Sequence, residues 1–132
     1  MREIKFRAWD KELKEYVDIN NTAIDPTNGD VVELGGYELL DVNRFAVLEQ
    51  YTGLKDKNGI DIYENDIVKP VEEDVDFEDA YYQIVYNETG EYPAFDLKGW
   101  NGTVNGISEL SLTYGIEVVG NIHENADLLE VH

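Results

Sequence analysis

The stretch "EQYTGLKDKNGIDIYENDIVKPV", Glu49–Val71, decides how this chain is read. Asn58-Gly59 stands between two alternating apolar runs. That is the strongest short-range hairpin signal, because a primed turn needs positive φ at both central residues. The stretch predicts a strand up to Leu54, a tight turn through Lys55–Gly59, and a strand carrying Ile60 and Ile62 on one face. Glu64-Asn65-Asp66 predicts a second turn, and Ile67-Val68 opens a third strand. Pro70 ends that strand or confines it to a sheet edge. No catalytic set surrounds this hairpin in the sequence, so its purpose has to be sought elsewhere.

Towards the N-terminus, "EIKFRAWD" alternates, with Ile4, Phe6 and Ala8 on one face and Lys5, Arg7 and Trp9 on the other. That period predicts a half-buried strand. "DKELKEY" fits either one helical turn or a charged hairpin loop, and "YVDI" resumes strand character. "NNTAIDPTNGD" is dense in turn formers, with Pro26 fixing φ and Asn28-Gly29 tolerating positive φ. "VVEL" and "YELLDV", separated by Gly35-Gly36, read as two short strands or an irregular connection. "RFAVLEQYT" fits helix and strand alike.

Towards the C-terminus, "VEEDVDFEDA" is an acidic run expected to form an exposed loop over 71–80. "YYQIVYN" and "PAFDLKGW" read as partner strands, "NGTVNG" as a glycine-rich loop, and "ELSLTYG" as a short strand. "GIEVVGNI" is a clear strand aligning Ile116, Val118 and Ile122. Asn125 is placed as a helix N-cap, with Asp127 in the first turn and Leu128 and Leu129 packing back. Many short strands and close turn signals predict a mainly β fold. About five strands from Tyr51 to Ile122 would close a small SH3-like barrel in the C-terminal part. The organisation expected is an N-terminal β-rich lobe over 1–49 and the barrel, with its acidic loop, over 50–132.

Composition narrows the function classes. The chain has 132 residues, enough for one domain or for one domain with a small lobe. Ten Lys and Arg against 29 Asp and Glu give a net charge of −19. Such a chain repels phosphate, so direct nucleic-acid binding is disfavoured, and a basic protein partner is favoured. Five of the basic residues (Arg2, Lys5, Arg7, Lys11, Lys14) lie near the N-terminus, interleaved with acids. Without cysteine there is no disulfide, thiolate metal site or Cys nucleophile. No apolar run is long enough to span a bilayer, and "MREIKFRAWDK" lacks the apolar region of a secretory signal. A cytoplasmic location is expected.

The candidate chemistry is thin. "EEDVDFED" offers clustered carboxylates, but the EF-hand pattern is not met, so a solvated loop is expected rather than a metal site. Ser108, Ser111, His123 and His132 form no nucleophile elbow. Glu12-Leu13-Lys14 is too short a fragment to mark a nuclease. No catalytic residue, metal or cofactor is expected, and the chain reads as a non-enzyme. Aromatics cluster from Tyr81 to Trp100. If that strand is regular, Tyr81 and Tyr82 face opposite ways, so one belongs to the core and the other to a surface. Tyr81, Tyr82, Tyr92 and Trp100 are the candidate protein-contact residues.

Four segments, "IKFRAWDKE", "LEQYTGLKDKNGIDIYENDIVK", "QIVYNETGEYPAF" and "IEVVGNIHENADLL", resemble the YopX family of phage and prophage proteins. The resemblance covers nearly the whole chain in the family's order. The family usually has Gly where Asn65 stands, and Asn tolerates the left-handed conformation that such a turn requires. The resemblance implies a β-rich protein with an SH3-like C-terminal barrel, a phage or prophage setting in a bacterial cytoplasm, and self-association. It implies no reaction. The expected function is a protein-interaction or self-assembly module, acting as a homo-oligomer or on a basic protein partner. The alternative is an acidic nucleic-acid mimic that inhibits a basic protein.

Overall fold

The computed structural model describes residues 4–18, 20, 22–35, 38–72, 80–87, 94–99, 105–113 and 115–130. The chain is mainly β: among the described residues there are strands β1 to β11, one α-helix and a 3-10 turn. No helix among them is long and apolar enough to cross a membrane. Two compact units are present, Glu3–Gln50 and Tyr51–His132.

In the first unit, β1 (Phe6–Asp10) and β2 (Glu15–Tyr16) form a hairpin with Trp9 opposite Tyr16. Of the two readings of "DKELKEY", the loop is the one that forms. Lys14 takes a φ of 57°, and its N–H closes the turn on the Asp10 carbonyl at 2.8 Å. The other edge of β1 pairs with the first half of β6 (Ala46–Lys55), which sets Arg7 opposite Glu49. β6 is thus a strand, settling the ambiguity of "RFAVLEQYT". Flanked on both edges, β1 buries Ala8, Trp9 and Asp10 in succession instead of alternating as expected. β3 (Thr22–Ile24), β4 (Val31–Gly35) and β5 (Glu38–Val42) make a second, antiparallel sheet. The loop between β3 and β4 is held by Asp25, whose carboxylate accepts the N–H and the hydroxyl of Thr27.

In the second unit, β7 (Asp61–Tyr63) returns along the second half of β6. The turn differs from the primed type expected. Gly59 alone takes positive φ, at 80°, and Asn58 does not. The Gly59 N–H bonds the Asp56 carbonyl, and the Asp56 N–H bonds the Ile60 carbonyl. This is the three-residue loop that ends in a left-handed glycine. The Asp56 carboxylate selects it by accepting the N–H groups of Asn58 and Ile60 through one oxygen.

β8 (Asp66–Pro70), β9 (Tyr82–Asn87), β10 (Ala94–Leu97) and β11 (Ile116–Asn121) form a four-stranded antiparallel sheet in the order β10-β9-β8-β11. β8 ends at Pro70 as its sequence requires. The expected five-strand closure is not what is seen: β7 pairs with β6, and the sheet stops at four strands. "ELSLTYG" is also corrected, for Gly106–Thr113 is helix α1. Asn105 starts it by accepting the Ser108 N–H on its side chain, and Ile107 and Leu110, one turn apart, are buried. With Ile62, Val68, Ile84, Leu97 and Ile116 they form the core of this unit. Asn125 precedes a 3-10 turn, Ala126–Leu129, without capping it. Its side chain accepts the Asn121 N–H instead. The acidic run 73–79 lies outside the described residues.

Candidate functional site

The hairpin read first has a structural use in its own unit. The second oxygen of Asp56 accepts the Val118 N–H at 2.9 Å, and the Lys57 N–H donates to the Ile116 carbonyl at 3.0 Å. Both partners lie on β11, whose other edge pairs with β8. The turn therefore acts as a short strand against an edge that would otherwise be a template for another chain. Burial pushes the Asp56 carboxyl up, but the N–H groups of Val118, Ile60 and Asn58, with the Lys57 charge, outweigh it and hold the group below the ordinary range. The next turn works similarly. Asn65, at a φ of 69°, donates its N–H to the Ile84 carbonyl, accepts the Ile122 N–H, and takes a bond from the Gln83 amide.

Several aspartates in described positions are committed to the backbone. Asp66 accepts the Tyr63 N–H, and Asp96 accepts the N–H groups of Leu97 and Gly106. Glu49, the most buried charge of the first unit, accepts Arg7 Nε at 2.8 Å and the Tyr16 hydroxyl at 3.0 Å. The Arg7 guanidinium also lies 4.5 Å from the centre of the Tyr16 ring, a cation–π contact. Arg7 is thus part of the interior of its unit rather than of a basic surface patch. Among the described residues no group of three or more His, Asp or Glu is placed to hold a metal ion.

The first unit carries a groove of about 690 Å³. Its floor is Asp10, whose carboxylate accepts the N–H groups of Glu12 and Leu13 and the side-chain amide of Asn43. The Leu13 N–H, then the Asn43 amide, hold the Asp10 carboxyl below its ordinary value against the opposing effect of burial. Asn43 also reaches Glu33 at 3.3 Å, and its side-chain oxygen accepts the Phe45 N–H. One buried aspartate and one asparagine thus fix the shape of both walls. The rim is mixed: Glu12, Glu33 and Arg44 are charged, and Leu13, Val42 and Phe45 are apolar. Leu13 is 64% exposed and Phe45 50%, so apolar surface faces water on two sides of the groove. Exposed apolar side chains rimmed by charge are a combination found at interaction sites.

Of the residues singled out from sequence, the two that are described belong to the second unit. Tyr82 packs against the core of the second unit, and Tyr81 lies half-buried just before β9. Tyr92 and Trp100 lie outside the described residues. The groove was missed because its walls come from segments far apart in sequence. A partial signal was present in Asn43-Arg44-Phe45, a turn former beside a large apolar residue at the head of an apolar run.

A family model described as YopX protein matches residues 5–130. Among solved structures, that of protein EF1440 from Enterococcus faecalis is similar, at 28% sequence identity and a TM-score of 0.63, over 98% of this chain and 100% of that one. No curated protein matches.

Proposed function

The chain belongs to the YopX family, and on that footing we propose that it works without catalysis, as a protein-interaction module whose contact surface is the groove of the first unit. The observation that carries this reading is the exposure of Leu13, Val42 and Phe45 around a groove whose floor is held rigid by Asp10 and Asn43. A rigid floor and an exposed apolar rim lower the cost of ordering a bound partner. The commitment of Asp10, Asp56, Asp66 and Asp96 to backbone N–H groups supports the non-catalytic part, since a carboxylate saturated with donors is a poor general base. Within this reading the protein is a phage or prophage product acting in a bacterial cytoplasm, and the second unit is a frame of the SH3-like barrel kind. Tyr81 is a secondary contact candidate.

The mimic reading draws its support from the net charge of −19. It needs ordered rows of outward-facing acids; Asp56, Asp66 and Asp96 instead point into turns and strand ends, and Glu12 and Glu33 stand on the groove rim. The two readings separate by salt and by position. A nuclease-treated pull-down compares the wild type, Phe45→Asp, and Tyr86→Asp, which adds the same charge at an exposed site of the second unit. The interaction reading expects a stoichiometric partner whose retention falls at least tenfold with Phe45→Asp alone. Equal retention by both variants, lost with rising salt, supports mimicry and overturns the groove.

A further inference from the structure

Of the motifs read from sequence, Asn58-Gly59 is one whose reactivity the fold leaves open. Asparagine before glycine is chemically labile, because glycine has no side chain to shield its own backbone nitrogen from the asparagine amide. The chain has four such pairs, of which Asn101-Gly102 lies outside the described residues. Asn28-Gly29, Asn58-Gly59 and Asn105-Gly106 carry the same reacting groups and differ in how they are held.

All three glycine N–H groups are bonded, Gly29 to the Asp25 carbonyl, Gly59 to the Asp56 carbonyl and Gly106 to the Asp96 carboxylate. The asparagine side chains separate the three. Asn105 is held twice, donating to the Phe95 carbonyl and accepting the Ser108 N–H, and Gly106 is buried. Asn28 accepts the Asp30 N–H, and Leu48 stands 3.8 Å from where a side chain at Gly29 would begin. The Asn58 side chain is exposed and makes no hydrogen bond among the described residues, and the space beside Gly59 is open.

We propose that Asn58 is a self-modification site of the folded protein, converting to aspartate and isoaspartate, and that the isoaspartate form releases the turn from β11. The Gly59 nitrogen gives its proton to a solvent base and attacks Asn58 Cγ. A C–N bond forms there as the bond to Nδ2 breaks, and the amide nitrogen leaves as ammonia. Water then opens the cyclic imide. Opening at the side-chain carbonyl gives aspartate. Opening at the main-chain carbonyl gives isoaspartate, whose backbone runs through the former side chain and is longer by a methylene. Nothing is oxidised or reduced. The loop is closed by the Gly59 N–H on the Asp56 carbonyl and the Asp56 N–H on the Ile60 carbonyl, so the added methylene has no slack to enter. It pulls apart the N–H groups of Asn58 and Ile60 that converge on Asp56. Asp56 and Lys57 then leave the Val118 N–H and the Ile116 carbonyl uncovered.

Peptide mapping by mass spectrometry tests the order of reaction on the full chain, incubated at mildly alkaline pH. Each further hydrogen bond that must open slows attack about fivefold, so Asn58 is expected to convert about fivefold faster than Asn28 and about twentyfold or more faster than Asn105. In urea the three rates should converge, since the order is set by the fold. Amide exchange on aged protein should show Val118 and Ile60 losing protection in step with the isoaspartate fraction. Asn58→Gln should neither convert nor lose that protection. Asn58→Asp carries the charge without the longer backbone and should keep it. An Asn58 that stays unconverted, Asn28 or Asn105 reacting as fast, or an order that persists in urea overturns the site. Val118 still protected in the isoaspartate form, or equally exposed in Asn58→Asp, overturns the release of β11.

Discussion

In the first unit, the residue β6 buries most deeply is an acid, Glu49, facing Arg7 and Tyr16; in the second unit the fully buried large side chains, among the described residues, are Ile62, Ile67, Val68, Ile84 and Ile107. Both units are small, and both must specify strand register. The second does so with apolar side chains from five strands and a helix, so its core fills by volume. The first, among its described residues, fully buries only Ala8, Trp9 and Val31 of its apolar side chains, and its register between β1 and β6 is marked by the directly opposed Arg7 and Glu49. A one-residue slip would leave Glu49 buried without its partner, at a cost of several kcal/mol. Charge can therefore specify a pairing where apolar volume is scarce. Each unit also uses one aspartate as a hub for N–H groups, Asp10 in the first and Asp56 in the second.

The largest expected effect is on the apolar side. Ile84→Ala should cost about 3–4 kcal/mol in urea unfolding, since its site is closed on all sides and cannot collapse. On the polar side, Glu49→Ala should cost about 2–3 kcal/mol, less than a wholly buried pair because Arg7 keeps some access to water. Glu49→Leu sharpens the contrast. If it leaves stability unchanged but broadens the NMR spectrum of the first unit, the ion pair serves register rather than energy. If it costs as much as Glu49→Ala, the pair is stabilising and the distinction fails.

Asp56→Asn should cost about 1–2 kcal/mol, because the amide oxygen accepts fewer and weaker bonds than the carboxylate. The same variant tests pH dependence. Asp10 and Asp56 are both held below the ordinary carboxylate value of 3.8. Their stabilising effect is whole above that value and is lost as pH falls through it to the lower folded value. Acid unfolding monitored by circular dichroism should therefore flatten in Asp56→Asn as pH falls below the ordinary carboxylate value. An unchanged acid transition would show that the turn is not held by the ionised group. The smallest effect is expected at Asn65. Asn65→Gly should lie within about 0.5 kcal/mol of the wild type, trading the Gln83 bond for easier positive φ, while Asn65→Ala should lose about 1 kcal/mol.

Much of the local structure was legible. Alternation located strands at "FRAWD", "DIVKP" and "IEVVGN", and the glycine and asparagine turns fell where positive φ was needed. Helix α1 was misread because "ELSLT" alternates as well as it spirals. What decides for helix is that Asn105 caps the segment and that Ile107 and Leu110 find one buried surface. The hairpin position was right and its turn type was not, because Asn58 and Ile60 donate to Asp56 and remove the need for a second residue at positive φ.

The groove, the partner of Arg7 and the sealing of β11 could not be read in advance. Each joins residues far apart in the chain: Asp10 to Asn43, Arg7 to Glu49, Asp56 to Val118. Turn geometry and alternation follow from the φ and ψ preferences of a few neighbouring residues, so the amino-acid order alone dictates them. Which acid becomes buried, which edge is covered and which apolar side chains stay exposed depend on strand pairing across the chain. With 29 acids of one local character, only the folded arrangement separates those that hold it together from those left at the surface.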